Sequence, residues 1–173
     1  MTHPLSSTFP LPSRQPELPV SQQTHALVCR LRKLSRKAQQ VFLLSRLDQL
    51  SYTSVAQWLE LDVSAVERKM VRVLDHCSEA SDASAEQARR WYVHLQSPHA
   101  TPSQRIEFRH WLDASAQHLN AFEETERLWR ALETPAAILG ANGWHRRKRR
   151  AYIAWLMLTA FLCSLLVTAE AFT

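Results

Sequence analysis

The spacing of apolar residues between Leu50 and Leu74 constrains this chain more than any other feature. In LSYTSVAQWLELDVSAVERKMVRVL, Val55, Trp58 and Leu59 recur at i, i+3 and i+4, one face of a short helix. Leu61, Asp62 and Val63 interrupt the pattern, and Val66, Met70, Val73 and Leu74 resume it on a second helix. Ser51 is the expected N-cap of the first helix, and Asp62 or Ser64 that of the second; Ser64 with Glu67 fits a capping box. Two short helices joined by a tight turn make a helix-turn-helix, whose second helix can enter a major groove. Ser64, Glu67, Arg68 and Arg72 would face outward there as candidate DNA-binding residues. The same pattern also describes a helical hairpin that buries its apolar face and touches no nucleic acid.

The residues upstream weigh on that choice. Val41, Phe42, Leu44 and Leu47 place a broad apolar face on a helix within Leu31 to Tyr52. Phe42, Leu44 and Leu47, with Leu43, Arg46, Leu50, Ser51, Tyr52, Val55, Ala56, Leu59, Val66 and the pair His76-Cys77, follow a known pattern in register and without gaps. Residues 26–77 thereby resemble region 4 of the extracytoplasmic-function (ECF) sigma factors. Three positions depart from that family: Ser35 replaces its usual Pro, Glu60 its turn Gly, and Glu67 a common Lys or Arg. A non-Gly residue at positive φ strains the turn by roughly 1 kcal/mol. A carboxylate at position 67 repels phosphate or accepts from a cytosine amino group. The stretch 1–25 is Pro-, Ser- and Gln-rich and reads as disordered. It is too short for the promoter-melting region 2, so a complete sigma factor is not expected.

A second helical module is expected over 84–134. Ser84 with Gln87 fits a capping box, and Ala88, Trp91, Tyr92 and Leu95 repeat at helical spacing. Thr101 and Pro102 fit an N-cap and first helical position, followed by Ile106, Phe108, Trp111 and Leu112. Ser115 opens a third helix carrying Phe122, Thr125, Trp129 and Leu132. About 50 residues lie near the lower limit for independent folding, so a partner is expected to complete the core. Ala88, Trp91, Leu95, Thr101, Phe108, Trp111, Leu112, His118, Ala121, Phe122 and Trp129 resemble the N-terminal domain of the FecR/PupR-type anti-sigma regulators of iron transport. That resemblance implies sigma binding, with Trp91, Leu95, Trp111, Leu112, Phe122 and Trp129 as candidate contacts. It also implies a link to iron or siderophore signalling through a periplasmic sensor or TonB-dependent receptor pathway. From spacing alone, each Trp reads as core ahead of contact.

Ala151 to Ala169 is uncharged and close to the ~20 residues that span a bilayer. Arg146, Arg147, Lys148, Arg149 and Arg150 precede it. Residues 135–150 are therefore expected as a basic juxtamembrane linker and 151–169 as a transmembrane helix in lipid. The expected location is the bacterial inner membrane, with the N-terminus cytoplasmic. Those five cations equal the whole net charge of +5, so the basic balance is no separate sign of nucleic-acid binding. With Thr173 as the last residue read, no periplasmic sensor domain is expected.

Two glycines in the whole chain exclude a phosphate-cradling loop, and three distant cysteines exclude a disulfide framework. No nucleophile–base–orienter set and no metal-ligand spacing is found, so neither catalysis nor a cofactor is expected. The expectation is an all-α protein joining a helix-turn-helix to a small helical bundle and a membrane helix. Its partners would be an ECF sigma factor or RNA polymerase, with promoter DNA as the competing alternative. The two modules, separated only by the polar stretch 78–83, are also expected to bind each other, because a short linker gives an effective concentration on the order of millimolar.

Overall fold

A computed structural model describes residues 20–147 and 159–161. Eight α-helices and a closing 3-10 turn make up the first of these segments, and no strand occurs among the described residues. The helices are α1 (Val20–Lys33), α2 (Arg36–Arg46), α3 (Tyr52–Leu59), α4 (Val63–Cys77), α5 (Ala83–Leu95), α6 (Pro102–Asp113), α7 (Ala116–Ala131) and α8 (Glu133–Gly140). The turn spans Trp144–Arg146.

Local chemistry sets most of the boundaries. Ser35, at the position where Pro is usual, caps α2 by accepting from the Ala38 N–H at 3.3 Å. Ser51 caps α3 by accepting from Ser54 N–H at 3.1 Å. Thr101 and Gln104 form a reciprocal capping box with Pro102 inside the first turn of α6, and Ser115 caps α7. Two expected caps are corrected. Asp82, and not Ser84, caps α5, and Ser84 lies within the helix. Asp62 precedes α4 with no side-chain cap bond, and Ser64 lies within that helix, so the Ser64–Glu67 box does not form. Glu67 is drawn elsewhere, as described below.

The core explains why α2 reads VFLL. Val41, Phe42, Leu43 and Leu44 are all fully buried, so this helix is covered on every side. It packs on α3 and α4 on one side and on α8 and the 3-10 turn on the other. Each such apolar side chain contributes roughly 1.5–3 kcal/mol by leaving water. The same apolar cluster takes in Val93 of α5, and Leu132 and Ala136 at the far end of the chain. One core therefore runs through both predicted modules. α6 contributes no buried residue to it.

Two segments differ from expectation. Helix α1 begins at Val20, inside the stretch read as disordered. Residues 133–140, which straddle the expected module end at 134 and linker start at 135, form α8, which packs on α1. The chain's two glycines serve this end of the fold. Gly143 adopts φ 60°, and a Cβ at Gly140 would collide with the Leu47 methyl.

The expectation of a single-pass inner-membrane protein is corrected. Among the described residues no helix is long and apolar enough to cross a membrane. The longest, α7, has 16 residues and carries Glu123, Glu124, Glu126, Arg127 and Arg130. About 20 apolar residues are required for a span. The run 151–169 lies outside the described residues except for 159–161. Arg146, read as a topology determinant flanking the expected span, forks onto Asp48, at 2.6 Å from Nη2 and 3.1 Å from Nε. Arg147 is exposed, and Lys148, Arg149 and Arg150 lie outside the described residues.

Candidate functional site

α3 and α4 form the helix-turn-helix. The turn is made by Glu60 in the left-handed region, at φ 56° and ψ 52°, with the Leu61 N–H bonded back to the Ala56 carbonyl at 2.9 Å. Of the four outward residues expected on α4, Ser64, Arg68 and Arg72 are exposed. Glu67 is not. It lies one turn from Val71 and two from Asp75, a stripe along the flank of α4 that meets α5.

That flank is where the second module docks. The Glu67 carboxylate lies 3.9 Å from His94 Nδ1 and 3.8 Å from His99 Nδ1. Asp75 accepts from Arg89 Nε, while Arg89 Nη1 donates to Ser78 Oγ and to the Ala80 carbonyl, each at 3.2 Å. Arg89 is only 3% exposed, so a buried guanidinium is held by three acceptors on α4 and the following loop. Farther along, Trp129 of α7 meets Phe42 edge to face at 6.0 Å, and Arg46 lies 5.1 Å over the same indole. Arg46 also pairs with Glu133 at 3.0 Å. Aromatic, cation–π and ionic contacts thus join α2 and α4 to α5 and α7 along one seam.

The C-terminal turn adds a second attachment. His145 is buried, with Nε2 3.3 Å from Asp48 Oδ2, and Gln40 Nε2 donates to its carbonyl. The Arg146 hydrogen bonds hold the Asp48 carboxyl below its ordinary pKa, and burial pushes His145 down. Burial also raises the Cys77 thiol and the Tyr92 phenol, each to about 12, so both stay protonated and neutral in the core.

The six residues expected to bind a sigma factor are all half-buried, and they serve different surfaces. Trp129 faces Phe42 and Arg46 of α2 and also packs on Tyr92 of its own module at 5.8 Å. Trp111 stacks on the His118 ring at 4.5 Å, and Phe122 packs on Phe108 at 4.9 Å and Tyr92 at 6.0 Å, inside the second module. Trp91 lies against Phe108 and lines an open cleft of about 630 Å³ between α4 and α5. Leu95 and Leu112 are partly covered. On the outer side, Ile106 of α6 and Leu119 of α7 remain 56% and 46% exposed.

Several residues that build the seam were not singled out from sequence. Arg89 carried a usable signal, since it shares the i, i+4, i+8 stripe with the buried Ala85 and Val93. A charge on an apolar stripe calls for a buried partner. His94, His99 and Asp48 carried none.

Comparison with known proteins divides the chain at the same place. The family described as "Sigma-70, region 4" matches residues 24–77, and that described as "Domain of unknown function (DUF4880)" matches residues 86–128. No curated protein and no solved structure matches the chain. A segment similar to sigma region 4 is thus followed by one similar to DUF4880, with the loop between α4 and α5 separating them.

Proposed function

We propose that this chain is a non-enzymatic regulator of sigma-factor-dependent transcription, whose second module binds region 4 of a sigma factor. One observation carries the reading: inside this chain that module is already docked on α4, and through Trp129 on Phe42 and Arg46 of α2, in a segment similar to sigma region 4. A sigma factor offering its own region 4 competes for the same face of α5 and α7, and the attached copy acts as an internal decoy that sets the threshold for capture. Assignment to an ECF sigma factor, and to iron or siderophore signalling, rests on the FecR/PupR resemblance of the tryptophan pattern.

The test weakens the decoy and spares the face it covers. Arg46 and Glu67 both belong to the helix-turn-helix side, so Arg46→Ala with Glu67→Gln loosens the seam and leaves Trp129, His94 and His99 in place. A cognate ECF sigma factor is expected to bind the double variant more tightly than the wild type in calorimetry. No binding to either protein would reject the reading. Equal binding to both would reject the decoy.

Promoter binding by α4 is the second reading, and the exposure of Arg68 and Arg72 favours it. Their replacement by Ala would then weaken promoter binding by roughly 1–3 kcal/mol per good base contact.

A further inference from the structure

The cleft between α4 and α5 holds more positive charge than the seam uses. Arg68 and Arg72 line it from α4, and Arg90 lines it from α5. Two carboxylates also face it: Asp75 is paired with Arg89, and Glu67 lies 3.9 Å from His94 and 3.8 Å from His99. Arg68 and Arg72 make no ion pair among the described residues, and Arg90 has only a 3.9 Å approach to Glu86. Val71, Val93 and Trp91 give the lining an apolar part, beside the polar Gln87, His94 and Gln104. Trp91 keeps its indole N–H buried without an acceptor, a costly state for a donor. The volume of about 630 Å³ lies within the roughly 300–1,000 Å³ typical of small-molecule sites.

We infer that this cleft is a binding site for a small anionic ligand with an apolar or aromatic body, its carboxylate or phosphate group held by Arg68, Arg72 and Arg90. Guanidinium groups match both oxyanions in bidentate geometry, and the apolar part of the lining suits the body of such a molecule. Because the site draws on a helix from each module, a ligand there binds the closed arrangement and not the parted one. Occupancy therefore strengthens the seam by mass action. The inference does not depend on capture of a sigma factor.

The full chain is titrated with adenosine monophosphate, with phthalate and with a DNA duplex of arbitrary sequence, by calorimetry and by thermal melting. Binding of the nucleotide or of phthalate at millimolar concentration is expected, with a rise in melting temperature, and the probe that binds identifies the head group. Arg68→Ala and Arg90→Ala, both at exposed positions, should each weaken that binding by about tenfold or more while leaving the unliganded melting temperature unchanged. Failure of both small probes would overturn the site. So would affinity retained in both variants, or binding of the duplex alone with no dependence on Arg90.

Discussion

Asp48 gathers two residues from the far end of the chain, and the chemistry of the three sets how the fold responds to acid. Burial holds the His145 pKa below its ordinary value, with Asp48 opposing. As pH falls through about 6.5 the unfolded chain takes up a proton that the folded imidazole resists, so stability declines from there downward. Asp48 has the depressed carboxylate pKa, owed first to the Arg146 hydrogen bonds. Its contribution is present above about 3.9 and is lost as pH falls through the folded value. Acid destabilisation should therefore come in two stages. His145→Gln is expected to abolish the first and retain the second in melting temperatures measured from neutral to acid pH. A profile identical to the wild type would show that His145 does not titrate in this way.

Among the elements, the turn between α3 and α4 is the one built against residue preference. Glu60 sits at φ 56°, where a Cβ costs roughly 1–2 kcal/mol. Glu60→Gly should stabilise the protein by about 0.5–1 kcal/mol in urea unfolding, the strain relieved being partly offset by glycine's larger entropy loss. A destabilised variant would show that the Glu60 side chain makes a compensating contact. Position 60 was legible in advance because one residue type is favoured at that backbone conformation, and Thr101-Pro102 was legible because cap and first-turn chemistry are local. Helix α8 was hidden for the opposite reason. Its sequence ETPAAILG carries a proline and little amphipathic pattern, and α1 and the core hold it in helical form. The seam was hidden likewise. Helical periodicity marks which residues turn inward, but it does not say that Trp129 meets Phe42 as well as Tyr92 of its own module.

Across the whole molecule, the shared core predicts that the two family-matched segments unfold together. Leu132 is fully inaccessible, lies beyond the DUF4880 match, and belongs to the same cluster as Phe42 and Leu44 of the sigma-like segment. Leu132→Ala should cost about 2–5 kcal/mol and shift one transition, seen alike by helical circular dichroism and tryptophan fluorescence. Two separated transitions, with only the later one unshifted, would mean that the segments are independent. The attachment of the C-terminal turn has a mechanical corollary. Arg146 and His145 both close on Asp48, two residues past the end of α2, and α2 is covered on every side. Tension on the chain beyond Arg147 would thus enter at the most deeply clad helix, and the ionic fork would have to rip before strain travelled to α4.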